Sequence, residues 1–271
     1  MKAKKNGPRK LPSALRNLQL EKRLTNSKLA IFLDYDGTLT PIVSDPSQAV
    51  LSQKSRNVLK KLSTRCPVII LSGRDVKDVK KMVGLKSIIY VGSHGFDIAV
   101  RNRGIRVNTN WYKFLPALND AEEQLRVRLN DLPGVIVERK KFSIAIHYRK
   151  VAKSYLAILK LRFNRTASQF PSLKKTNGKE ILELLPNSQW NKGAALDLLL
   201  DILWPNSKVV PIFIGDDLTD EGAFCAIKNK GVGIFVGKSK RDTCAKYSLR
   251  NSIEVRAYLE RLSQGLRNAI Q

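Results

Sequence analysis

Histidine and cysteine are scarce in this chain: 271 residues hold two histidines, His94 and His147, and three cysteines. Two histidines exclude a His-rich metal site. Cys66, Cys225 and Cys244 are scattered and odd in number, so they offer neither a disulfide framework nor a CxxC metal pair and read as a reducing compartment. No apolar run approaches the roughly 18 to 20 residues that a bilayer-spanning helix needs. The charged, proline-containing N-terminus also lacks the apolar stretch of a secretory signal. A soluble, cytoplasmic protein is expected. A P-loop is excluded, because "GIFVGKS" carries Val232 where Walker A requires glycine five residues before Gly237. An EF-hand is excluded too: counting from Asp34, the glycine stands fourth rather than sixth.

Acidic residues are outnumbered, 23 against 49 Lys and Arg, for a formal net charge of +26. Residues 1–28 hold nine basic residues and one acid, so the remainder still carries 40 against 22 and the excess is global. Such a field attracts anionic substrates, nucleic acid or acidic membrane surface. Nucleic acid is not the expected partner, since there is no zinc finger, recognisable helix-turn-helix or RNP-type aromatic motif. An anionic small substrate fits the charge equally well.

What is present begins with a 43% hydrophobic content, enough for one large domain or a core with a smaller second domain. Residues 1–28 read as a basic, solvated extension, with Leu15, Leu18, Leu20 and Leu24 spaced to line a short amphipathic helix. From Leu29 the pattern changes. "LAIFLDYDG", "PVIILSGRD", "KVVPIFIGDD" and "GVGIFVG" are solid apolar runs of strand length, as in a parallel sheet covered on both faces, and helical segments alternate with them. This predicts a doubly wound α/β core over 29–108 and 186–271. Between the two halves, residues 109–185 have strands of alternating polarity and two helices, which predicts an inserted α+β cap.

Ligands of open parallel sheets bind beyond the carboxyl ends of the strands. Three runs end there in polar residues: Asp34 and Asp36, then Ser72, then Asp216, Asp217 and Asp220. A lone aspartate after a strand is as well explained as a helix N-cap. Carboxylates gathered from two strand ends would repel one another unless a cation neutralises them, and an all-oxygen set selects Mg²⁺.

"DYDGTL", "LSGR", "NKG" and "GDDLTDE", in this order, resemble the haloacid dehalogenase superfamily of Mg²⁺-dependent phosphohydrolases. "FLDYDGTLTPIV", "YVGSHGFDI", "VERKKFSIAIHYR" and "WNKGAALDLLL" narrow the resemblance to the trehalose-6-phosphate phosphatase family over about residues 29–260. It implies Asp34 as nucleophile, Asp36 as general acid and base, and Ser72 and Lys192 as phosphoryl contacts. It also implies Asp34, Asp36, Asp216 and Asp220 around Mg²⁺, with Asp217 a weaker candidate. Arg74, Glu138, Lys140, Lys179 and Glu183 match substrate-binding positions. For His147 and Arg149 of "HYR" a structural role is as well supported as ligand contact, and the glycines beside His94 read as a backbone turn. The expected partner is a sugar phosphate, bound by a monomer. Two other readings stay open: a phosphatase of sucrose phosphate or mannosyl-phosphoglycerate, and a basic binding protein on a phosphatase-like fold.

Overall fold

The computed structural model describes residues 10–43, 45, 48–99, 109–178, 180–238 and 242–266. In chain order its elements are α1 (Leu18–Thr25), β1 (Leu29–Leu33), α2 (Gln53–Leu62), β2 (Val68–Leu71), α3 (Val76–Val83), β3 (Ile89–Gly92) and β4 (Asp97–Ala99). Then come α4 (Leu115–Leu129), β5 (Ile136–Lys140), β6 (Ser143–His147), α5 (Leu156–Ala167), β7 (Leu173–Gly178) and β8 (Ile181–Pro186). The chain closes with α6 (Lys192–Leu203), β9 (Val210–Gly215), α7 (Glu221–Ala226), β10 (Val232–Val236), β11 (Tyr247–Leu249) and α8 (Ser252–Gly265).

Seven strands form the core sheet in the order β11-β10-β9-β1-β2-β3-β4, parallel except for the antiparallel edge pair β3–β4. β1 lies between β9 and β2, and all five of its residues are buried. Successive side chains point to opposite faces. Ile31, Leu33, Ile70 and Ile214 therefore pack on one face, and Ala30, Phe32, Ile69 and Phe213 on the other. Burial on both faces is what the unbroken apolar run of β1 reflects.

The second sheet, β5-β6-β8-β7, is antiparallel throughout. Its Ile144, Ile146, Leu182 and Leu184 pack with Leu118, Leu125, Leu159 and Phe163 of the helices α4 and α5. The alternate residues, Glu138, Lys140, His147 and Glu183, look toward the core and line a shared cleft. Phe96, Phe142 and Leu185, with Trp111 and Trp190 beside them, make an apolar joint between the two sheets.

Two expectations need correction. The solvated extension does not hold for residues 10–28: α1 is capped by Asn17, buries Leu20 and Leu24, and pairs Glu21 with Arg261 of α8. Ahead of it, Ser13 bridges to Ser248 of β11, so the segment closes over the same apolar face that α8 covers. Leu18 is the leucine left on the surface. Residues 1–9 lie outside the described residues. Nor are the cysteines all free: Cys225 and Cys244 form a disulfide, a pairing across 19 residues that sequence spacing does not disclose, and Cys66 is free and buried. Among the described residues, no helix is long and apolar enough to cross a membrane.

Candidate active site

The loop after β1 is a tight hydrogen-bonded turn. Leu39 and Thr40 donate backbone N–H groups to Tyr35 O, and Gly37 N–H donates to Thr40 O at 2.9 Å. Tyr35 anchors the turn from below through its hydroxyl, which donates to Ala49 O at 2.7 Å. Gly37 has φ +83°, and a Cβ there would stand 2.2 Å from Asp216 Oδ2, so only glycine lets the two acidic loops approach.

At the floor, the Lys192 ammonium donates to Asp34 Oδ1 and to Asp220 Oδ1, both at 2.7 Å. Asp34, Asp216 and Asp220 each bring a carboxylate oxygen within 4.8 Å of the others. The second oxygen of Asp220 accepts from the Asp216 and Asp217 amides at 2.8 and 2.9 Å, which fixes the acidic loop. Burial raises the Asp34 pKa well above the carboxylate range against the pull of Lys192, and Asp220 and Asp216 raise it further. For Lys192, burial works against the charged form, but Asp220 and Asp34 outweigh it and hold the ammonium protonated. These buried oxygens, with the Gly37 approach to Asp216, fit a hard divalent cation such as Mg²⁺.

Above the floor, Arg74 holds Asp36 by two points, Nε to Oδ2 at 2.6 Å and Nη2 to Oδ1 at 2.7 Å. The expected substrate residue is therefore engaged with the expected acid. Ser72 Oγ accepts from Arg74 N at 3.1 Å, and Ser72 is not among the residues lining the cleft.

The roof is a network of its own. Glu183 accepts from Lys140 Nζ at 3.0 Å and Ser143 Oγ at 2.7 Å through Oε1, and its Oε2 lies 2.9 Å from His94 Nε2. Burial alone would raise the Glu183 pKa, but Lys140 and His94 reverse it and hold the group far below the usual carboxylate range. Lys140 is raised: Glu183 and Glu138 overcome its burial. Glu138 accepts from or pairs with His147 Nε2 at 2.6 Å. Its burial opposes the charged form, yet His147 and Lys140 leave its pKa lowered.

The cleft between floor and roof holds a cavity of about 160 Å³ and opens to solvent. Of the expected residues, Asp34, Asp36, Arg74, Glu138, Lys140, Glu183, Lys192, Asp216 and Asp217 line it. Lys179 lies outside the described residues. Sequence reasoning missed the ring of His94, which reaches Glu183 from a left-handed backbone at φ +56°. A non-glycine residue held there is a mark of a constrained, functional position. It also left Arg149 undecided: its Nη1 donates to Val43 O at 2.7 Å, tying the cap to the loop beyond Asp36.

Comparison with known proteins adds to this geometry. The family described as trehalose-phosphatase matches residues 32–253. The chain is 40% identical over 265 residues to the trehalose-phosphate phosphatase of Mycobacterium tuberculosis (strain H37Rv), covering 96% of this chain and 67% of that protein. Against the Mycobacterium leprae protein of that name it is 40% identical over 268 residues, 94% of this chain and 62% of the relative. Among solved structures, a trehalose-6-phosphate phosphatase related protein aligns with TM-score 0.76 at 28% identity, over 87% of this chain and 97% of that one. The Synechocystis sucrose-phosphatase, solved with sucrose and phosphate, shares the fold at TM-score 0.54 and 16% identity, over 88% of this chain and 98% of that one.

Proposed function

The chain belongs to the trehalose-phosphatase family, and from that premise we propose that its cleft hydrolyses trehalose 6-phosphate to trehalose and phosphate through an aspartyl-phosphate. The observation that carries the reading is Lys192 bridging Asp34 and Asp220 beneath a roof of hydrogen-bonding cap residues. Asp34 attacks phosphorus with one carboxylate oxygen and the bond to the sugar oxygen breaks, so one difficult displacement becomes two easier ones. Asp36 protonates the departing sugar oxygen and later takes a proton from the attacking water, which an alkoxide leaving group requires. To do so it gives up its two-point pair with Arg74, whose guanidinium then meets the phosphate. Lys192 keeps Asp34 oriented and balances its charge.

Asp34, Asp216, Asp220 and the backbone carbonyl of Asp36 would hold Mg²⁺, which when bound neutralises charge on the phosphoryl oxygens. Ser72 positions Arg74. Glu138, Lys140, Arg149 and Glu180 face the sugar, whose hydroxyls suit carboxylate acceptors and cationic donors. Phosphate release measured over trehalose 6-phosphate, sucrose phosphate, mannosyl-phosphoglycerate and glucose 6-phosphate, with and without Mg²⁺, tests the reading. Preference for trehalose 6-phosphate with Mg²⁺ is expected. An equal or higher kcat/KM on another sugar phosphate overturns the substrate, and turnover unaffected by chelation overturns the metal.

A further inference from the structure

The helix α7 follows the acidic loop directly, runs only six residues, Glu221 to Ala226, and carries Cys225 near its C-terminal end. A helix that short does not hold itself and depends on what fastens its ends. At its N-terminal end Asp220 grips Lys192 and the amides of Asp216 and Asp217. Its first turn sits directly on the start of α6: a Cβ at Gly193 would lie 2.3 Å from Gly222 O, and one at Gly222 would lie 2.8 Å from Asn191 Oδ1. Moving α7 therefore moves the residues that frame Lys192.

The other end is tied to the segment before β11. Cys225 is bonded to Cys244, and Glu221, one turn earlier on the same helical face, accepts from Thr243 Oγ1 at 3.0 Å and from Cys244 N at 3.1 Å. Cys225 is exposed and Cys244 half-buried, so small thiols and disulfides can reach the pair. Cys66 is the contrast: it is buried, and burial pushes its thiol up to about 12, out of the reactive range.

We propose that Cys225 and Cys244 form a thiol–disulfide exchange site whose closure holds α7, and with it Asp220 and Lys192, in the arrangement that the floor of the cleft requires. The site and its effect on the fold go beyond the phosphatase reading and do not depend on which sugar is bound. The oxidant is a low-molecular-weight disulfide such as oxidised glutathione. The Cys225 thiolate attacks one sulfur of that disulfide and releases a thiolate, leaving a mixed disulfide on Cys225. The Cys244 thiolate then attacks Cys225 Sγ and expels the second thiolate. Two electrons pass from the protein to the small disulfide, and the two protein thiol protons end on the two released thiols.

The experiment uses the full chain equilibrated in reduced or oxidised glutathione. Intact mass reports the bridge, a thermal melt without substrate reports the fold, and the Mg²⁺ concentration for half-maximal turnover reports the floor. Oxidation is expected to remove two hydrogens, raise Tm by about 5 °C and lower the half-saturating Mg²⁺ at least about threefold. Cys225→Ser and Cys244→Ser should behave as the reduced protein in both buffers, and if they fail to fold the wild-type pair of buffers still decides. A chain that keeps its free thiols in oxidised glutathione overturns the site. A bridge that forms without changing either Tm or the Mg²⁺ dependence overturns its role.

Discussion

The floor and the roof of the cleft both bury ionised groups, yet the balance of charge runs in opposite directions. At the roof one carboxylate, Glu183, has three donors or partners to itself, and its pKa is driven down. At the floor one ammonium, Lys192, is shared between Asp34 and Asp220 with Asp216 in reach, and the Asp34 pKa is driven up. A buried cluster that satisfies itself adds rigidity, whereas a strongly perturbed carboxylate in a cleft marks a candidate functional site. The roof thus joins cap to core through His94, while the floor is where the proposed function places a cation and a phosphate.

The contrast breaks most readily at the floor. Asp34→Asn should leave the fold intact and lower turnover by about 10⁴-fold or more, because an amide is not a competent nucleophile. Phosphate release and a thermal melt check this, and residual activity above about one per cent removes the covalent step. Removing divalent cations should come next, with a loss of about 10³-fold that Mg²⁺ restores. The roof should be indifferent to the chelator.

Glu183→Ala tests the other side. It strands Lys140 in the interior beside Ser143, and should cost about 3–5 kcal/mol in denaturant unfolding because an unpaired buried charge remains. In the folded fraction, hydrolysis of trehalose 6-phosphate should suffer more than that of a small aryl phosphate, whose reaction needs the floor alone. Equal losses would make the roof purely a joint.

The smallest effect is a pH dependence of stability. Glu183 has its folded pKa depressed, so its contribution is present above the unfolded glutamate pKa of about 4.3 and declines as the pH falls below it. Wild type should lose about 2 kcal/mol more than Glu183→Gln between pH 7 and acid conditions, measured by urea unfolding at each pH. Parallel curves would mean that the roof cluster does not stabilise the charged glutamate.

Residue order by itself determined the parts of this protein that are local. Five apolar residues ending in Asp34 must form a buried strand with its carboxylates at the tip, and a stretch of alternating polarity such as "FSIAIHYR" must cover one face of an antiparallel sheet, because side-chain period follows from backbone geometry. The motif order was enough to bring Asp34, Lys192, Asp216 and Asp220 to one place. Tertiary structure decided the other pairings between distant segments. Arg74 closes on Asp36, His94 crosses from core to cap to meet Glu183, Cys225 finds Cys244, and Leu20 and Leu24 fold a basic extension onto α8. No periodicity encodes such contacts. Each depends on which side chains arrive opposite one another once the sheets are packed, and on whether a buried charge finds its partner there.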